Sequence, residues 1–270
     1  MKKSATSSKA VQRVIKPSER IQAPKLSHIV VERLRRQIAD GELNAGDTLP
    51  SETELLHQFG ISRPTLREAL RVLESETLIR LGRGARSGAT VLGPSVDAAA
   101  RHSIMYLASH GTTLTDIHQA RMLIEPPLAG MLARRVKKEH VRALQRYVTL
   151  HQEALQRKDY QAVLAAASEF HSTLGQLSEN HVLSLLLGIL KGMVSNIFPR
   201  ISASGNSPER QAVRRRMEQS VVAHAKVLDL IARNKPADAE KFWRGYMQDT
   251  AVFLTKSGLG KLRVELHDSP

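Results

Sequence analysis

Apolar positions near the start of the chain keep a helical spacing, lose it, and then recover it. Ile29, Val30, Leu34 and Ile38 share one face from Leu26 onward, which predicts a first helix stopped by Gly41. The next stretch, NAGDTLPSE, is broken by Gly46 and Pro50. Within it Ser51, with Glu54 three residues on, spells a capping box, so a second helix is expected over Glu52 to Phe59 with Gly60 as its end. Ser62 then caps a third helix. Pro64 sits in its first turn, where a missing N–H costs little, and Leu66, Ala69, Leu70 and Leu73 form its apolar stripe. Two short helices joined through FGIS make a helix-turn-helix. After Glu76 the period shortens, and LIRLGRGARSGATVL reads as two extended runs around a Gly- and Arg-rich tip, a β-hairpin wing. Gly93 and Pro94 mark a linker.

From Ser95 to about Lys256 strand signals vanish and amphipathic helical segments follow one another. Their breaks fall at Gly111, Val136 to Glu139, Lys158 to Asp159, Glu179 to Asn180, Ser202 to Pro208 and Asn234 to Pro236, which separates seven helices. Short connections imply an antiparallel bundle. The predicted fold is mainly α: a winged helix-turn-helix with a small hairpin over residues 25–92, and an all-α seven-helix bundle over residues 95–256. Residues 1–24 read as a disordered basic tail that either touches DNA phosphates or is a solvated arm, and residues 257–270 read as a flexible tail. There is no internal repeat.

Charge narrows the partners. Lys and Arg outnumber Asp and Glu by 40 to 26, a formal +14 that favours polyanions such as DNA and is spread over both parts of the chain. The absence of cysteine excludes disulfides, thiolate nucleophiles and Cys-based zinc sites, and is compatible with a reducing cytoplasm. The apolar stretch from Val182 to Leu190 is too short to span a bilayer, and the first residues lack the apolar core of a signal peptide, so a cytoplasmic location is expected.

The third helix places Arg63, Thr65 and Arg67 near its N-terminal end, away from the leucine stripe. The first turns of a recognition helix are where side chains meet major-groove edges, and arginine pairs bidentately with guanine. Ser62 and Thr65, beside free N–H groups, suit phosphate contacts. Arg83, Gly84 and Arg86 give the wing tip positive charge and a backbone able to approach the minor groove closely. The competing reading is a solvated helix face and a flexible loop.

The motifs G-x-x-x-x-G-x-x-LPSE, S-R-x-T-x-R-E-AL and RG-x-x-x-G, all within residues 41–91, resemble the winged-helix domain of the GntR family of bacterial regulators. By that resemblance the operator contacts fall on Ser62, Arg63, Thr65, Arg67, Arg83 and Gly84. The family usually has Arg after LPSE, where this chain has Thr53, which bears on operator preference. Residues 95–256 resemble the FadR C-terminal (FCD) domain through Arg121 and Glu125, Phe170 and His171, and His224. The resemblance implies a homodimeric, ligand-responsive regulator, with repression of a metabolic operon through a palindromic operator as the expected function. The helical domain would bind a small organic effector and carry the dimer contacts.

Many FCD relatives hold a metal on one Asp and three His. Two of those ligands correspond to His171 and His224, but Ala167 and Tyr246 stand where the other two fall, so no metal or other cofactor is expected. His171 and His224 are then either hydrogen-bonding pocket residues or satisfied core histidines. With Arg121, Tyr246 and the neighbouring Phe242 and Trp243 they outline an aromatic effector pocket. Arg121 and Glu125, four apart, form a local ion pair in the simplest case. The run Arg214, Arg215, Arg216 is either a solvated helix face or a docking point for an anionic effector.

Two other classes compete with a ligand-responsive regulator. An architectural DNA binder needs no large bundle with a polar core, and an enzyme using His171 and His224 lacks an acid–base partner. No nucleophile triad, paired carboxylates or phosphate loop is present, so no enzymatic activity is expected.

Overall fold

The computed structural model describes residues 25–82, 88–202 and 207–265. The predicted basic tail, and the wing-tip residues Arg83, Gly84 and Arg86, lie outside them. The chain divides into two compact units, Met1–Gly93 and Pro94–Pro270.

In the first unit α1 spans Leu26–Ala39, α2 Glu52–Phe59 and α3 Arg63–Ser75. The capping box forms at α2: the Ser51 hydroxyl accepts from the Glu54 N–H, and the Glu54 carboxylate accepts from the Ser51 N–H at 2.8 Å. Gly60 closes the helix in the left-handed region, at φ 62°, which turns the chain into α3. Ser62 holds the capping position of α3 without capping it, because its hydroxyl pairs with that of Thr65 at 2.8 Å. Strands β1 (Ile79–Leu81) and β2 (Ala89–Val91) are antiparallel, with Ile79 opposite Val91. The segment before α2 joins the hairpin, Leu49 donating to the Ala89 carbonyl and Val91 to that of Asp47, both at 2.8 Å. Burial of Leu34, Ile38, Leu66, Leu73 and Ile79 closes the core of this small unit.

Among the described residues the second unit holds seven α-helices: α4 Val96–Ser109, α5 Leu114–Arg134, α6 Lys138–Gln156, α7 Tyr160–Gln176, α8 His181–Ser202, α9 Pro208–Ala232 and α10 Pro236–Lys256. Apolar stripes from α5, α6, α7, α9 and α10 meet on Phe170, Leu174, Ile231 and the fully buried Trp243. Helix α4 lies on α8 at Gly188 and Gly192, where an added Cβ would meet Val96 and Ile104.

The expected flexible tail over 257–270 is corrected for its first nine residues. A 3₁₀ turn at Leu259–Lys261 returns the chain to the start of α5, where Leu114 donates to the Leu262 carbonyl at 2.8 Å and Val264 to that of Thr112 at 2.9 Å. Val264 is 3% exposed. Three apolar residues, Leu259, Leu262 and Val264, are too few to show a period, yet each has a place to dock.

Candidate functional site

The N-terminal end of α3 presents a basic stripe. Arg63 and Arg67 are 62% and 60% exposed, and four-residue spacing puts Arg71 beside them along one surface groove. Sequence reasoning missed Arg71, although its i+4 spacing from Arg67 marks it. It also missed Glu52 in the first turn of α2, whose carboxylate accepts from Arg67 Nε at 3.0 Å and lies 4.0 Å from Arg63 Nε.

In the helical unit five helices bring polar groups to one point. Glu125 on α5 is fully buried, and its carboxylate accepts from Arg121 Nε at 2.6 Å, from His171 Nδ1 on α7 at 2.6 Å and from Trp243 Nε1 on α10 at 3.0 Å. From His171 the contacts continue. His171 Nε2 lies 3.3 Å from His224 Nε2 on α9, and His224 Nδ1 lies 3.1 Å from His151 Nδ1 on α6.

These contacts assign the protons. Burial alone would raise the Glu125 carboxyl, but the adjoining Arg121 charge and the bonds to His171 and Arg121 hold it below the usual carboxylate range, so it is ionised and His171 Nδ1 must donate to it. His171 Nε2 is then a lone pair that accepts from His224 Nε2–H, and His224 Nδ1 in turn accepts from His151 Nδ1–H. One tautomer of each ring satisfies the chain with all three neutral. Burial is also what pushes His171 and His224 below the ordinary histidine value and His151 down to about 4. His118, buried with Nε2 at 2.7 Å from the Met247 carbonyl, is lowered to about 4 by the same desolvation.

Beside this network is a cavity of about 150 Å³ bordered by Arg121, Ala167, His171, Arg216, His224 and Tyr246, with Leu164, Val194, Ile201, Phe253, Leu254 and Leu259 supplying apolar wall. The structure thus brings together the four residues singled out as an effector pocket. His171 and His224 are hydrogen-bonded in the core and also border the cavity. Of the expected aromatic neighbours only Tyr246 borders it. Trp243 is buried behind, on Glu125, and Phe242 packs against the core. His151 escaped sequence reasoning, although its place on the buried face of α6 with Leu144 and Val148 signals it.

A winged helix-turn-helix with a basic third helix, joined to a helical bundle with a polar, cavity-bearing core, defines a DNA-binding transcription regulator of two domains. Residues 26–91 match the model of bacterial regulatory proteins of the gntR family, and residues 116–249 match the FCD domain. The chain belongs to the gntR family and carries its second domain in the FCD form. It is 25% identical over 231 residues to the HTH-type transcriptional repressor NanR of Escherichia coli K12, covering 84% of each chain. To NanR of Cronobacter sakazakii it is 25% identical over 241 residues, covering 88% of this chain and 87% of that one. A GntR structure from Streptococcus agalactiae superposes with a TM-score of 0.61 at 23% identity, over 84% of this chain and 99% of that one. These relatives are regulators, and the chain is not an enzyme. Among the described residues no helix is long and apolar enough to cross a membrane.

Proposed function

We propose that this chain is a ligand-responsive repressor of a metabolic operon, acting in the cytoplasm as a homodimer on a palindromic operator. The observation that carries the reading is the cavity in the helical unit, bordered by buried polar groups that a purely architectural DNA binder has no use for. A small organic effector in that cavity, contacted by Arg121, His171, His224 and Tyr246, shifts operator affinity by its differential affinity for the DNA-competent and DNA-incompetent arrangements. Repression is supported by the NanR relatives, which are transcriptional repressors. Ser62, Arg63, Thr65 and Arg67 read the operator from α3, with Arg83, Gly84 and Arg86 of the wing alongside. Homodimerisation is supported by apolar side chains that α4, α5 and α8 leave in solvent, among them Tyr106, Leu123 and Val182 at 61%, 78% and 65% exposure. A two-fold protein calls for a two-fold site.

The effector is held without a metal. His171 and His224 offer Nε2 atoms to each other, His171 Nδ1 is committed to Glu125, and Ala167 has no donor. The Tyr246 phenol is raised above its ordinary value by burial, so it stays protonated and is a poor ligand. Two nitrogens fall short of the three or four donors that a resident zinc or nickel needs.

The test is a footprint of the full chain on the DNA upstream of its own reading frame, with light scattering on the same sample. Two protected half-sites related by a two-fold axis, covered by a dimer and released by a small molecule, are the expected result. A monomer protecting one half-site, or protection that no cavity-directed ligand or cavity substitution alters, overturns the reading.

A further inference from the structure

One end of the helical bundle carries positive charge that nothing answers. Helix α5 ends and α6 begins there, and the ion pair of Lys137 with Glu179 places the end of α7 beside them. The turn from α9 into α10 reaches the same end, because a Cβ on Gly130 of α5 would meet the Pro236 carbonyl. Within the nine residues from 134 to 142 stand Arg134, Arg135, Lys137, Lys138 and Arg142, all exposed, against the single carboxylate of Glu139. Neighbouring carboxylates are engaged elsewhere: Glu179 pairs with Lys137, and Asp229 pairs with Arg233 at 2.7 Å. At the turn into α10, Lys235 and Asp238 balance in number. Among the described residues Arg134, Arg135, Lys138 and Arg142 form no ion pair.

Helical spacing turns part of this cluster into a row. Lys138, Arg142 and Arg146 fall four apart on α6, on the face opposite the buried His140, Leu144 and Val148. At 1.5 Å per residue the row is about 12 Å long. That length outruns a compact anion and suits a polymer whose charge repeats along a line, as duplex DNA repeats one charge per about 1.7 Å of its axis. The chain already binds DNA through its first unit, and only Leu92 to Ser95 separate β2 from α4. So short a tether keeps bound DNA at high effective concentration for the second unit, where contacts too weak to act alone still add to affinity. Val96, at the start of α4, packs on Gly188 in the first half of α8, so the tether joins the bundle in the half that bears the basic end.

We propose that Lys138, Arg142 and Arg146, with Arg134 and Arg135 in the adjoining turn, form a second DNA-contacting surface that binds backbone phosphates of the duplex flanking the bases read by α3. Contacts of this kind add affinity and position the protein without reading sequence. The inference rests on α3 as the reading helix and is independent of what the cavity holds.

The experiment is a fluorescence-anisotropy titration of the full-length protein between about 50 and 200 mM salt. Two duplexes are compared, the DNA upstream of its own reading frame and one of unrelated sequence. The variant Lys138→Gln/Arg142→Gln/Arg146→Gln removes the charge of the row, and Lys138→Arg/Arg142→Lys/Arg146→Lys keeps it; circular dichroism checks that both stay helical. Each lost phosphate contact lowers the slope of log Kd against log salt by about 0.9, so the neutral variant should lose about 2–3 from the slope and bind about tenfold or more weakly. The loss should be the same factor on both duplexes, and the charge-keeping variant should bind as the unaltered protein does. Trimming the flanks of the operator should weaken the unaltered protein and leave the neutral variant almost unchanged. Unchanged slope and affinity in the neutral variant overturn the proposal. A loss confined to the operator sequence, or one that the charge-keeping variant shares in full, overturns it as well, and so does an unaltered protein indifferent to the flanks. Binding to phosphatidylglycerol vesicles that the neutral variant loses, with DNA binding intact, assigns the surface to a membrane instead. Arg63→Ala separates this inference from the α3 reading: it should narrow the preference for operator over unrelated DNA, which the neutral variant should not.

Discussion

Replacing Glu125 tests the helical domain at its centre. Its carboxylate is 0% exposed and accepts three hydrogen bonds, from Arg121, His171 and Trp243. Glutamine preserves the shape but presents one acceptor oxygen and an NH₂ group to a ring of donors, so at least one N–H faces another. The larger effect is electrostatic: Arg121, whose side chain is 13% exposed, keeps its charge and loses its counter-ion. Removing one partner of a buried ion pair typically costs about 3–5 kcal/mol. Orphaning a neutral donor such as Trp243 Nε1 costs about 1–3 kcal/mol, and the two effects share a site and do not simply add. Glu125→Gln is therefore expected to destabilise the domain by about 3–5 kcal/mol, a drop of roughly 10 °C in melting temperature for a unit of this size. The assay is urea unfolding followed by circular dichroism and by the fluorescence of Trp243, the single tryptophan of the chain, which touches the altered side chain directly. The double variant Arg121→Met/Glu125→Leu, which removes both charges, should recover most of the loss. A loss below about 1 kcal/mol in the single variant, or a double variant no more stable than the single, would refute the claim that a buried charge pair organises this core.

Acid should weaken the same domain through its histidines. His118 and His151 titrate near 4 in the folded chain against 6.5 when exposed, so the unfolded state takes up protons first as pH falls. Stability is complete above pH 6.5 and drains toward pH 4, by about 2 kcal/mol per group at pH 5, and a flat unfolding free energy from pH 8 to pH 5 would contradict the burial of these rings. Arg63→Ala and Arg67→Ala should each weaken specific operator binding by about 1–3 kcal/mol in mobility-shift titrations at fixed salt; unchanged affinity and specificity in both would remove α3 as the reading helix. Protein purified without chelator should carry no stoichiometric zinc or nickel by elemental analysis, and metal present in the unaltered chain but lost in His171→Ala or His224→Ala would show that two histidines with water suffice.

What the sequence determined is what local chemistry controls. Ser51 with Glu54, Gly60 and Pro64 bound α2 and α3 by capping and turn rules that need only a few neighbouring residues, and the helical periods between breaks mark all seven helices of the second domain. The arginines of α3 were legible for the same reason, since their distance from the helix start and from the leucine stripe is a matter of spacing alone. Glu52 was not, because its hold on Arg67 crosses from one helix to the next. Within the bundle the sequence marked Arg121, His171, His224 and Tyr246 only through resemblance. Their convergence, with His151 and Trp243, on one carboxylate depends on how five helices pack, and no spacing along a single helix encodes it. The run Arg214, Arg215, Arg216 shows the limit most clearly. Successive residues of a helix point about 100° apart, so one triplet divides among solvent, Tyr160 and the cavity, and only the positions of the neighbouring helices decide which arginine meets which. The docking of residues 257–265 has the same origin: three apolar side chains carry no period, and their order comes from the surface that receives them.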